Sequence, residues 1–204
     1  MAELQKFIPK MYQNYNLDTV PDVKAAIYRA MVMLLVHQCR NVDPQNECVA
    51  VPTSPKTDFG TGGKYVDVVQ TNNYQSDDWV AAVNPGTTDV LAARLKPDVA
   101  AFAVAGFAVE TDPALRTGVP IARINIYQDL AKQKPVKTLN MLMSATPMDY
   151  PLAYALLPEP IVIGPGKEFV IEVVADSRVT SPQQYVVMWL PPIVLTSKKR
   201  VGYV

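Results

Sequence analysis

Pro160-Ile161-Val162-Ile163-Gly164-Pro165-Gly166-Lys167-Glu168-Phe169-Val170-Ile171-Glu172-Val173-Val174 is the stretch that sets the class of this chain. Beyond the turn residues Gly164-Pro165-Gly166, Phe169, Ile171 and Val173 alternate with Glu168, Val170, Glu172 and Val174. Successive side chains of a strand point to opposite faces, so this period of two predicts a strand with one buried face. With residues 161–163 ahead of the turn, the whole stretch predicts a β-hairpin. Residues 184–190 (QYVVMWL) supply a return strand, stopped by Pro191-Pro192, because proline has no N–H to give to a ladder.

Upstream, strands are predicted over 47–51, 64–70, 79–83, 90–95, 99–110, 121–127 and 136–143, and downstream over 193–196. Turn chemistry separates them: Pro52-Thr53-Ser54-Pro55, Gly60-Thr61-Gly62-Gly63, Asn84-Pro85-Gly86, Lys96-Pro97-Asp98, Asp112-Pro113 and the segment 147–151. Many short strands at this spacing predict a mainly β protein, a jelly-roll or Greek-key β-sandwich. The run Ala100-Ala101-Phe102-Ala103-Val104-Ala105-Gly106-Phe107-Ala108-Val109 is ambiguous, since alanine has weak β-propensity. It has no cap or charge and a glycine in its middle, so a strand pressed against another layer is expected, with a helix as the alternative.

Composition narrows the classes of function. The 204 residues are ample for one core, and 49% are hydrophobic, which excludes wholesale disorder. Lys+Arg and Asp+Glu balance at 19 each. Phosphate neutralisation needs a basic field, so no nucleic-acid partner is expected, and the lack of net repulsion permits copies to associate. The 18 prolines against 9 glycines suit rigid loops between short strands. No segment reaches the roughly 20 apolar residues that a membrane-spanning helix needs, and the amino terminus carries no secretory pattern. Synthesis in a cytoplasm and no membrane partner are therefore expected.

Residues 1–40 are assigned to an arm and one apolar helix, and residues 41–204 to the sandwich. The arm carries Leu4, Phe7, Ile8, Met11, Tyr12, Tyr15 and Leu17. Asp18 or Thr19 caps a helix over 23–38 with Pro21 tolerated in its first turn. Val23, Ile27, Met31, Leu34 and Leu35 form its apolar face, but Val32, Met33 and Val36 are apolar as well. Such a helix is buried on two sides, either by a second subunit or inside its own core. The expected interface residues are Phe7, Ile8, Tyr12, Tyr15, Ile27, Met31, Leu34 and Leu35.

Catalytic groups are scarce. His37 is the one histidine, so nucleophilic triads and a transition-metal site are not expected, nor is any cofactor. Cys39 and Cys48 form no C-x-x-C pair; their spacing allows a small disulfide loop, though reduced thiols fit a chain without a secretion signal better. Gly60-Thr61-Gly62-Gly63-Lys64 resembles a phosphate cradle, but Tyr65 stands where a P-loop has Ser or Thr and a strand rather than a helix is predicted next. A glycine-rich hairpin is the expectation there. Asp77-Asp78 and Glu110-x-Asp112 lack a calcium-loop pattern. Tyr74, Trp79, Tyr150, Tyr154, Tyr185 and Trp189 could serve a glycan-binding site instead of a core. The tail Lys198-Lys199-Arg200 is expected to be a solvated terminus.

The run PIVIGPGKEFVIEVVAD followed by QYVVMWLPPIVL resembles the closing strands of single-jelly-roll virion proteins of tailed bacteriophages, among them capsid decoration (cement), head-fibre and head–tail accessory proteins. It covers about the last fifth to quarter of the chain and is a likeness of strand and turn style. What the resemblance implies is a non-enzymatic subunit that forms homo-oligomers and meets other virion proteins, located in the virion. A carbohydrate-binding sandwich is the alternative. An enzyme of the cupin kind would bind its metal through several histidines, which this chain lacks.

Overall fold

The structure, a computed structural model, describes residues 26, 29, 31–33, 35, 48–61, 63–67, 79–82, 85–99, 101–111, 121–140, 152–175, 184–188 and 192–197. The described chain is mainly β. Its strands are β1 (Cys48–Pro52), β2 (Val80–Ala82), β3 (Gly86–Arg94), β4 (Ala101–Thr111), β5 (Ile121–Tyr127), β6 (Lys137–Asn140), β7 (Leu152–Ile163), β8 (Glu168–Ala175), β9 (Gln184–Met188) and β10 (Ile193–Ser197). Residues 26, 29, 31–33 and 35 are helical, and Pro55–Asp58 make a single helical turn.

The strands form two antiparallel sheets. In the first, β4 is central: β7 lies on one edge, while β9 and β10 share the other and carry β2 and β1 outside them. The second has the order β3-β8-β5-β6. Sequence-adjacent β5 and β6 pair with each other, and around them the pairs β4–β7, β3–β8, β2–β9 and β1–β10 are nested in turn.

One apolar core lies between the layers. Phe102, Val104 and Phe107 of β4, Leu157 and Ile163 of β7, and Val194 of β10 meet Val90 and Leu91 of β3, Ile124 and Ile126 of β5, and Phe169, Ile171 and Val173 of β8. The inward side chains are the period-two sets of each strand, and three register shifts explain the exceptions: the one between Val104 and Gly106 of β4 moves the inward set from Val104 to Phe107, and two more act in the second sheet. The register of β3 on β8 shifts between Asp89 and Leu91, which turns adjacent Val90 and Leu91 both into the core. A similar shift between Ile121 and Arg123 keeps Ile121 inside. Phe59 closes the core from the loop after the one-turn helix, its ring centroid 5.0 Å from Phe102 and 5.5 Å from Trp79, while Phe102 stacks on Phe169 at 5.1 Å. Aromatic pairs at these separations contribute beyond their buried area.

Several expectations are corrected. Residues 160–174 do not form a hairpin: β7 pairs with β4 in the first sheet, and β8 pairs with β3 and β5 in the second. The turn Gly164-Pro165-Gly166-Lys167, with Lys167 N–H donating to the Gly164 carbonyl and Gly166 at φ 65°, carries the chain between layers. Alternation reports which face of a strand is buried but not which sheet the strand joins, so a cross-layer turn and a hairpin look alike in sequence. β7 also begins nine residues earlier than the 161–163 expected. Opposite Ala105 alone stand Leu157-Pro158-Glu159-Pro160, between the pairs Gly106–Leu156 and Val104–Ile161. The two prolines interrupt the strand pattern in sequence but are tolerated at a bulge on a sheet edge. The strand expected over 64–70 is, within the described residues, a single bridge of Val66 to Leu95.

The segment 101–107 is a strand with both faces buried. Ala101, Ala103 and Ala105 point away from the sandwich core and are buried with Ile193 and Leu195 of the neighbouring strand. Small side chains there leave room for a further layer. Met31 and Leu35 of the helical segment are likewise fully buried outside the main core.

The glycine-rich segment follows the one-turn helix and is packed against it. Ser54 caps that turn by accepting from Thr57 N–H, while its own N–H donates to Asp58 Oδ2 at 2.8 Å. A Cβ on Gly60 would lie 2.4 Å from the Lys56 carbonyl oxygen, and one on Gly63 would lie 2.4 Å from that of Asp58. These glycines permit close backbone approach.

Candidate functional site

The polar side chains of the described sheets converge at two places. The first is a row across the outer face of the second sheet. Register sets Asp89 of β3 opposite Glu172 of β8, Glu172 opposite Asn125 of β5, and Asn125 opposite Thr138 of β6. Glu172 Oε1 accepts from Asn125 Nδ2 at 2.9 Å and Tyr127 OH at 3.1 Å, and Asn125 Oδ1 accepts from Thr138 Oγ1 at 2.9 Å. Lys132, from the loop between β5 and β6, reaches over the sheet. Its Nζ donates to Glu172 Oε2 at 3.0 Å and to both Asp89 oxygens at 2.9 and 3.2 Å.

Lys132 has φ 52°, the one left-handed non-glycine backbone among the described residues. Such a conformation persists where surrounding contacts hold it, and here the loop is tied at several points. Leu130 N–H donates to Glu168 Oε2, Gln133 N–H to Asp129 Oδ1, and Val136 N–H to the Ile126 carbonyl. Glu168 is also paired with Arg94. Burial pushes Glu172 up, but hydrogen bonds from Asn125, Lys132 and Tyr127, with the lysine's charge, outweigh it and hold the carboxyl below its ordinary value. Hydrogen bonds to Asp89 and Glu172 raise Lys132. Burial, then the Glu172 charge, raises Tyr127. Chemically this is a charge-assisted clasp that fixes a loop to a sheet; Glu172 has its acceptor positions engaged by three donors.

The second place is a groove of about 360 Å³ where the edges of the two sheets approach each other. It is lined by the apolar Val136, Pro160, Ile161 and Val162 and by the polar Gln128, Lys137 and Glu159. The β7 bulge supplies one wall and the clasped loop with β6 the other.

Of the expected interface residues, Met31 and Leu35 are fully buried. Phe7, Ile8, Tyr12, Tyr15, Ile27 and Leu34 lie outside the described residues, as does His37. Met33, on the same helical segment, is 74% exposed. Trp79 is buried among Phe59 and Phe102, and its indole N–H donates to the Thr53 carbonyl, so its ring is committed to the core. Cys48 is disulfide-bonded rather than a reduced thiol, and Cys39 is the only other cysteine in the sequence. The expectation of reduced thiols is thereby corrected at Cys48.

Asn125, Lys132, Asp89 and Thr138 carried no sequence signal. Each reads as a solvent-face or loop residue until the order β3-β8-β5-β6 aligns them. No group of three or more His, Cys, Asp or Glu side chains among the described residues is placed to hold a metal ion. No helix of the described residues is long and apolar enough to cross a membrane. No protein-family model matches the chain, and no curated protein matches its sequence.

Proposed function

We propose that this chain is a non-enzymatic structural subunit of a virus particle, capsid or capsid-associated in the decoration, cement or head–tail accessory sense. In this reading it is made in the host cytoplasm, has jelly-roll topology, and joins copies of itself and other virion proteins through its amino-terminal arm and helix. The observation that carries the proposal is the nested pairing of strands. A long antiparallel hairpin that pairs β5–β6, β4–β7, β3–β8 and β2–β9 and then rolls up yields β2-β9-β4-β7 facing β3-β8-β5-β6. Viral coat proteins are among the established users of that plan. The resemblance of residues 160–195 to phage virion proteins points the same way, as do the balanced charge and the exposed Met33. Modest contacts repeated over many copies would supply the avidity.

The test is assembly. The full chain is expected to form a large homo-oligomer by light scattering and electron microscopy. Removing residues 1–20, or substituting Met33→Glu, lowers its mass while circular dichroism stays unchanged. Both variants leave the buried Met31 and Leu35 in place, because losing them would unfold more than it tests. An assembly of unchanged mass in both variants refutes the docking role.

A further inference from the structure

We infer that the groove between β6 and β7 is a two-fold contact between copies of this chain. Lys137 and Glu159 line it from strands of different sheets, together with the apolar Val136, Pro160, Ile161 and Val162. Neither charge forms an ion pair within the described subunit. Of the three large apolar side chains exposed among the described residues, Val136 lines the groove and Leu130 belongs to the same loop, at 48% and 39% exposure. A lining with apolar side chains, one unpaired cation and one unpaired anion is complementary in charge to a second copy of itself. In a two-fold contact, residue i meets j of the partner while j meets i, so Lys137 of each copy faces Glu159 of the other. A partner of uniform charge would leave one of the two charges opposed by its own sign.

The loop is prepared for this. Lys132 clasps it to Asp89 and Glu172, and further hydrogen bonds fix Leu130, Gln133 and Val136. Binding then orders little that is not already ordered, which lowers the cost of association. The β7 edge has prolines at 158 and 160, so it is blunted against strand addition. Side chains rather than a continuous ladder make the contact.

This proposal stands apart from the virion role: a two-fold pair can form whether or not a particle does. Sedimentation of the full chain over a concentration series tests it. The wild type is expected to show a dimer, either directly or, where it is part of a larger assembly, as the component left when residues 1–20 are removed. Lys137→Glu and Glu159→Lys each place like charges together twice and weaken the dimer by about tenfold or more. The double swap Lys137→Glu/Glu159→Lys restores it, the single-swap defects shrink at high salt, and Val136→Asp weakens the dimer without rescue. A wild type that stays monomeric to about 1 mM, a regime equivalent to negligible affinity, overturns the proposal. So do single swaps without effect, or a double swap no tighter than the singles.

Discussion

Replacing Lys132 with methionine isolates the clasp over the second sheet. The substitution keeps most of the side-chain length and removes three charge-assisted hydrogen bonds, at 2.9 and 3.2 Å to Asp89 and 3.0 Å to Glu172. An exposed ion pair is worth roughly 0–1 kcal/mol, whereas breaking a fully buried one costs roughly 3–5 kcal/mol. The Lys132 side chain is 32% exposed and Glu172 only 9%, so the loss falls between these limits, at about 2 kcal/mol. Most of that comes from leaving Glu172 charged with Asn125 and Tyr127 alone. Urea unfolding at pH 7 measures it as a lower midpoint at constant slope. A double-mutant cycle with Glu172→Gln then yields a coupling of about 1 kcal/mol or more.

The pH dependence gives a second check. Glu172 is lowered in the folded state, so its stabilisation is present above the ordinary carboxylate pKa and disappears as pH falls through the folded value. Lys132 is raised, so its share is complete below the ordinary lysine pKa and disappears as pH rises through the folded value. The difference between wild type and Lys132→Met should therefore shrink in acid. A deficit below about 0.5 kcal/mol at pH 7, or one that is unchanged in acid where the carboxylates are protonated, would falsify the assignment of the clasp.

Phe102→Ala removes the ring that joins Phe59 to Phe169 across the core and is expected to cost roughly 3–5 kcal/mol in the same unfolding assay. Thr196 Oγ1 is buried without a hydrogen-bond partner, so Thr196→Val should stabilise the fold by about 1 kcal/mol, read as a higher midpoint. Cys48→Ser removes the disulfide at the start of β1 and is expected to cost roughly 2–5 kcal/mol. Adding reductant should lower the thermal midpoint of the wild type and leave that variant unmoved.

Strand existence was written plainly in this chain, and strand partnership was not. β5 and β8 have the limits that alternation predicts, because Ile121, Ile124 and Ile126 and Phe169, Ile171 and Val173 fill one face each. β3 begins four residues before the expected 90, at Gly86, since Gly86-Thr87-Thr88-Asp89 has no apolar set to alternate. β7 was cut short by Pro158 and Pro160, which a single-strand pattern reads as a stop and a bulge absorbs. The alanines of β4 were correctly legible as one face of a strand in contact with another layer. The groove and the clasp were invisible for a common reason: each joins residues from strands that become neighbours only after the chain has rolled up.

The nested order of the strands also dictates when a growing chain can fold. Among the described strands, β5 and β6 are the one pair joined by a short connection within a single sheet, and every further nested pair encloses a longer loop whose closure is entropically dearer. While a ribosome has released the chain only as far as β5, the strands β1 to β5 have no mates, and their edges stay open until β6 to β10 emerge in sequence. Zippering then runs outward from the middle, and β1 meets β10 last. Synthesis and folding are thus separated in time, and newly made chains pass through a stage in which strand edges invite mispairing with one another.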